Sequence, residues 1–132
     1  MEAVVAYRSE LDIAKGLIAQ DPSNFQWIRQ LGSLAYRFVL ARDFARALEA
    51  ADQAISLAPD LKWMHENRAH ALMFLKRTDE ARTVYLKYRG EKDVLDGKSW
   101  ETKVLEDFTE LRNAGLAGPL MHEVEKEFAA KR

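Results

Sequence analysis

Apolar residues recur along this chain three or four positions apart. Short polar stretches that hold the prolines and glycines interrupt them. That period predicts an all-helical chain with short connections, and only three prolines and six glycines are present to break it. The first helix is expected over Glu2 to Gln20, with Val4, Leu11, Ala14 and Ile18 on one stripe, ended by Asp21-Pro22 because the residue before proline disfavours helix. A second opens at Ser23-Asn24-Phe25-Gln26, where serine followed three residues later by glutamine reads as a capping box. Its buried stripe is Leu31, Leu34, Ala35 and Phe38. A third follows Asp43 as N-cap, carries Phe44, Ala47, Leu48, Ala51, Ala54 and Ile55, and stops near Pro59. A fourth runs from Asp60 to about Leu75, with Ala69 and Leu72 inward, and a fifth follows Thr78 with Ala81, Tyr85 and Tyr88. Gly90 is expected to close it in the left-handed conformation. The polar stretch Glu91 to Ser99 is the longest connection. A sixth helix spans Trp100 to Asn113, with Trp100, Val104, Phe108 and Leu111 on one side, and ends at Gly115. Gly118-Pro119 begins the last, striped by Leu120, Val124 and Phe128. Ala129 to Arg132 is expected to fray.

Ala69 follows Ala35 by 34 residues, and Ala81 follows Ala47 by the same interval. One period found twice at small-residue positions marks tandem helix-turn-helix units. Residues 28–61 resemble one tetratricopeptide repeat: Leu31, Leu34, Ala35 and Phe38 match its first helix, and Asp43, Phe44, Ala47, Ala54 and Pro59 match the turn, second helix and closing proline. Residues 62–95 resemble a second, degenerate repeat through Ala69, Leu72, Ala81 and Tyr85, with Tyr88 where Ala54 stood and Asp93 where Pro59 stood. Residues 1–22 resemble the second half of a preceding repeat, and residues 99–131 the capping helices of some bacterial arrays. The resemblance implies a single all-α domain over residues 1–132, a right-handed α-solenoid with a two-helix cap. The first helix then lacks its hairpin partner. Its apolar stripe is expected to meet a longer array or a second copy of the chain, unless it repacks locally.

The resemblance also implies a function: non-catalytic binding of a partner protein or peptide in the concave groove lined by first-of-pair helices. Carried over position by position, the first repeat offers Arg29, Gly32, Tyr36, Val39 and Leu40, and the second Trp63, Glu66, His70, Met73 and Phe74. Aromatic and methionine side chains suit burial of a partner's apolar residues, and an amphipathic helix is the natural ligand. The same side chains could instead be covered by the C-terminal helices, above all the helix bearing Trp100 and Phe108. A carboxylate clamp of the kind some relatives use is not expected, because Gly32, Ser33, Tyr36 and Trp63 stand where lysine and asparagine are needed, leaving only Asn67. An alternative role is an oligomerisation or capping segment of a larger signalling protein.

Composition narrows the remaining chemistry. The 132 residues, 48% of them hydrophobic, suffice for one domain with a core. Twenty basic and 21 acidic residues leave a net charge of −1, which gives no general pull toward nucleic acid or anionic lipid. The basic string Lys76, Arg77, Arg82, Lys87, Arg89 and Lys92 is diluted by Asp79, Glu80, Glu91 and Asp93, so no nucleic-acid partner is expected. Cysteine is absent, which excludes disulfides and thiol chemistry and fits a cytoplasmic location. Neither a signal peptide at Met1 to Arg8 nor a membrane-spanning run is read.

No phosphate loop, nucleophile elbow or dinucleotide fingerprint occurs, so neither an enzyme nor a cofactor is expected. His65-Glu66 followed by His70 is not the zinc-protease spacing, and histidines five apart on a helix lie about 140° apart around its axis. His122-Glu123 has no nearby second ligand, so no metal site is expected. The carboxylates Glu101, Glu106, Asp107, Glu110, Glu123, Glu125 and Glu127 read as solvated faces beside basic residues.

Overall fold

The computed structural model describes residues 2–130, so Met1 and the expected fraying at Lys131 and Arg132 lie outside the described residues. The described residues form α1 (Glu2–Gln20), α2 (Phe25–Leu40), α3 (Phe44–Leu57), α4 (Lys62–Phe74), α5 (Thr78–Lys87), α6 (Trp100–Asn113) and α7 (Pro119–Ala129). Each helix from α1 to α4 packs on the next, α2 also touches α4, α6 lies on α4, and α7 packs on α5 and α6. No helix among the described residues is long and apolar enough to cross a membrane.

Small residues set how closely these helices approach. Ala35, Ala47, Ala50, Ala51, Ala54, Ala69 and Ala81 are all fully buried. They leave room for Leu31, Leu34, Phe38, Leu72 and Tyr85, which are equally enclosed and stabilise by about 1.5–3 kcal/mol each for the apolar cases. Leu11, Ala14 and Ile18 of α1 are buried as well, and Tyr7 meets Phe38 edge-on at 5.9 Å. The stripe of the first helix is therefore covered locally by α2, not left for another chain. Val5 and Ile13, each 59% exposed, are its outward apolar residues.

The turns repeat with the 34-residue interval. In the first, the backbone N–H groups of Ala41, Arg42 and Asp43 donate to the carbonyls of Arg37, Val39 and Phe38. In the second, those of Leu75, Lys76 and Arg77 donate to Ala71, Met73 and Leu72. Arg42 and Lys76 hold matching left-handed conformations, with φ of 66° and 68°. The turn between α6 and α7 uses the same three bonds, from Ala114, Gly115 and Leu116, with glycine at the left-handed position (φ 83°). A left-handed residue after the last helical turn satisfies carbonyls that the helix leaves open.

Two local expectations shift. The cap of α2 is Asn24, whose side-chain oxygen accepts from Trp27 N–H at 3.4 Å. Ser23 instead donates its hydroxyl to Asp21 at 2.7 Å, so the capping box does not form. At the other boundary, α5 ends at Lys87 rather than at Gly90, although Gly90 does take a positive φ of 88°. Asp43 caps α3 as expected, accepting from Arg46 N–H at 3.3 Å.

Candidate functional site

The face of α4 that meets α2 and α6 carries Trp63, Glu66, Asn67 and His70, spaced three and four apart so that they share one side of the helix. The stripe of α6 that meets them is Val104, Asp107, Phe108 and Leu111. Polar groups thus occupy positions on both stripes that are usually apolar. Glu66 is 1% exposed, His70 0% and Asp107 8%.

The three converge. His70 Nε2 lies 3.0 Å from Asp107 Oδ2 and 3.8 Å from Glu66 Oε2. On its other side, Nδ1 lies 2.6 Å from the Tyr85 hydroxyl. The imidazole is gripped by rings: Tyr85 at 5.6 Å, Phe108 at 5.9 Å and Tyr36 at 6.1 Å between centroids. Trp100, fully buried, donates its indole N–H to the carbonyl of Tyr85 at 2.8 Å and so fixes α6 against α5. Lys103 Nζ is 3.8 Å from the second oxygen of Asp107. Glu66 Oε2 has no hydrogen-bond partner among the described residues despite complete burial.

Burial and mutual proximity set the charges. Burial drives the Glu66 carboxyl above the usual carboxylate range, and the facing Asp107 carboxylate adds to it. Burial acts the same way on Asp107, but bonds to Glu66 and His70 outweigh it and hold the group below its ordinary value. Burial lowers His70, yet Asp107 and Glu66 reverse this and lift the imidazole to about 9. At neutral pH the cluster is therefore a neutral Glu66, an anionic Asp107 and a cationic His70, whose Nε2–H donates to Asp107 and whose Nδ1–H donates to the Tyr85 oxygen. Burial also raises the Tyr85 hydroxyl, which stays protonated. One charge pair with no net charge is the cheapest ionic state such a site can hold.

Glu66 and Asp107 form part of the wall of a cavity of about 330 Å³ between α2, α4 and α6, with Tyr36, Trp63, Asn67 and Glu110 around them. The Tyr36 hydroxyl donates to Glu110, and burial followed by that bond raises its titration. Arg37 and Lys103 stand at the rim, with Arg37 paired to Glu10 at 3.0 Å. A second hollow of about 300 Å³ adjoins along Gln26, Arg29 and Gln30, and shares Ser33, Trp63 and Leu95 with the first. Together they make one trough.

Of the ten residues assigned to a partner-binding groove, Tyr36, Trp63 and Glu66 line this trough, and Arg29 lies along its outer part. Val39 and His70 are wholly buried and Met73 is 5% exposed, so these three are interior. Leu40 and Phe74 pack half-buried against the core, and Phe74 stacks on Phe44 at 5.1 Å. Gly32 is also closed off, since an added Cβ would stand 2.9 Å from Trp63. Asp107 corrects the solvated reading of the α6 carboxylates: it sits on the apolar stripe. Its neighbours do pair at the surface, as in Lys98 with Glu106 at 3.0 Å and Arg112 with Glu125 at 2.6 Å. The three arginines of the basic string are likewise paired, Arg77 with Glu80 at 2.8 Å, Arg89 with Glu127 at 3.6 Å, and Arg82 with Asp79 at 2.7 Å.

Compared with known proteins, the chain matches no family model, no curated protein and no solved structure.

Proposed function

We propose that the chain is a non-catalytic protein-interaction module built on two tetratricopeptide-type hairpins, α2–α3 and α4–α5, and that an extended segment of a partner protein lies in the trough. The observation that carries this reading is the pair of adjoining hollows, which share Ser33, Trp63 and Leu95 and end in the polar recess at Tyr36, Asn67 and Glu110. The repeat assignment draws support from the turn bonds and left-handed residues repeated at 34 residues. An extended ligand is favoured over a helix because Val39 and Met73 are interior and α6 occupies the space over α4. What remains offers polar partners, Ser33, Asn67 and Gln30, beside the Trp63 indole.

Selection of a random peptide library on the whole chain tests this. Selected peptides should shift the amide signals of Trp63, Asn67 and Leu95. They should also bind Ser33→Arg at least tenfold more weakly, because Ser33 is exposed in the trough and its replacement obstructs the ligand without entering the core. Failure to select any binder, or peptides indifferent to Ser33→Arg, would overturn the reading. A second reading, self-association through α1 within a larger assembly, draws on the exposed Val5 and Ile13. It predicts a mass that rises with concentration in light scattering.

A further inference from the structure

We propose that Glu66, His70 and Asp107 bind a divalent transition-metal ion of the zinc, manganese or iron class at the floor of the cavity. Three donors of suitable chemistry converge from two helices, the manner in which helical bundles build metal sites. Their ligand atoms all lie within 4.8 Å of one another. An ion with bonds of about 2.0–2.1 Å holds adjacent donors about 2.9 Å apart in octahedral and about 3.4 Å apart in tetrahedral geometry. The separations of 3.0 and 3.8 Å from His70 Nε2 bracket the tetrahedral value, and the shorter lies close to the octahedral one, so side-chain adjustments that draw the three donors inward from within 4.8 Å close the site.

The independent sign is Glu66 Oε2, an acceptor buried with no partner among the described residues. Buried polar atoms are nearly always satisfied, and an exception calls for a missing partner. This one lies 3.8 Å from His70 Nε2, the same ring nitrogen that Asp107 Oδ2 approaches at 3.0 Å. The surroundings are arranged as ligands require. The Tyr85 oxygen takes the proton of His70 Nδ1 at 2.6 Å, which leaves Nε2 free to face an ion. Lys103 reaches Asp107 through Oδ1, which leaves Oδ2 for the site. Glu66 and Asp107 open onto the cavity, giving an entry path and a further position for water or an exogenous ligand.

The donor set narrows the ion. One imidazole nitrogen and two carboxylates suit zinc, manganese or iron(II), whereas copper(I) would want sulfur. Calcium is disfavoured, since it takes six to eight oxygens. Two carboxylates also balance a divalent charge with the imidazole neutral. The competing account is a metal-free polar link between α4 and α6. The site stands or falls independently of what lies in the trough.

Titration of the chelator-stripped full chain with zinc chloride and manganese chloride, followed by calorimetry, decides between them. One ion per chain is expected, with Glu66→Gln and Asp107→Asn each weakening it at least tenfold. Tyr85→Phe should weaken it by about tenfold, the lower end of what supporting hydrogen bonds contribute. If a variant loses its helical circular dichroism, the unmutated chain still answers. Manganese should broaden the NMR signals of Glu66, His70, Tyr85 and Asp107 before any others, and cobalt(II) should give the visible absorption of a nitrogen–oxygen site. Broadening centred on His65, His122 or the surface carboxylates, a Glu66→Gln chain that binds as well as the parent, or no binding at all would overturn the site.

Discussion

The two central hairpins share a backbone plan and differ in what they enclose. Shifting α2–α3 by 34 residues onto α4–α5 places Gly32 on Glu66, Tyr36 on His70 and Ala51 on Tyr85. The first hairpin is closed by alanine and leucine, and its interior needs nothing but apolar contact. In the second, a carboxyl, an imidazole and a phenol stand at the equivalent positions, joined by Asp107 from α6. Buried polar clusters of this kind seldom stabilise a fold more than an apolar core of the same volume would. The interior of the first hairpin serves packing alone, while the second carries a cluster that packing does not demand, beside the cavity that α2, α4 and α6 share.

The sharpest break in that comparison comes from deleting a side chain on the apolar side. Phe38 is fully buried and meets Tyr7. Phe38→Ala should cost about 3–5 kcal/mol, read by denaturant unfolding, and the cost should be the same at pH 6 and pH 9. A pH-dependent cost would mean that the two regions are coupled through α2.

On the polar side, stability should follow pH. His70 is raised in the folded chain to about 9 from 6.5. A raised group contributes fully below its unfolded value, and the contribution is lost as pH climbs through the folded value. The metal-free chain should therefore lose stability between about pH 6.5 and 9, by an amount on the order of 3 kcal/mol. Glu66, also raised, adds to the loss in the same direction, starting from its unfolded value of 4.5. Asp107, lowered, acts only at the acid end, below 3.8. Melting temperatures measured with chelator present should fall over the alkaline window in the parent. They should stay nearly level in a Glu66→Gln, His70→Gln double variant, and an equal fall in both would refute the assignment of charges.

A smaller effect lies where the two regions touch. The Cβ introduced by Gly32→Ala would approach Trp63 to 2.9 Å and Met64 to 3.1 Å. Overpacking of this sort costs about 1–3 kcal/mol, offset in part by the roughly 1 kcal/mol that alanine gains over glycine within a helix. A net loss accompanied by a change in Trp63 fluorescence is expected. A stabilised chain with unaltered fluorescence would show that α4 yields freely there, and that the trough wall is not rigid.

Much of this architecture was legible in the sequence. The 34-residue spacing of Ala35 with Ala69 and Ala47 with Ala81 marks the two hairpins, and Trp100 to Asn113 is found as α6 with those bounds. The site was half legible. Glu66 and His70 are four apart on one helix and so share a face, whereas the histidine pair His65 and His70, five apart, does not. Asp107 falls three residues after Val104 and four before Leu111, on the apolar stripe, and a carboxylate at such a position is itself the clue. What no local pattern could supply is the packing of α6 on α4, which brings Asp107 across 37 residues to His70.

The finest difference between the hairpins lies at their second helices. Asp43 caps α3 with its side chain, whereas Arg77, 34 residues on, leaves α5 with no side-chain cap. Arg77→Asp would create a cap with Glu80 three residues later, the spacing of a capping box. The cap should add about 0.5–1 kcal/mol. The lost Arg77 to Glu80 pair is exposed on both sides, and such pairs contribute little. A gain of a few tenths to 1 kcal/mol, with Asp43→Ala losing about as much from α3, would mean that the two turns are equivalent in energy as well as in geometry. If Arg77→Asp destabilises, the turn at Lys76 copies the first in its backbone bonds while relying on the Arg77 side chain to hold it.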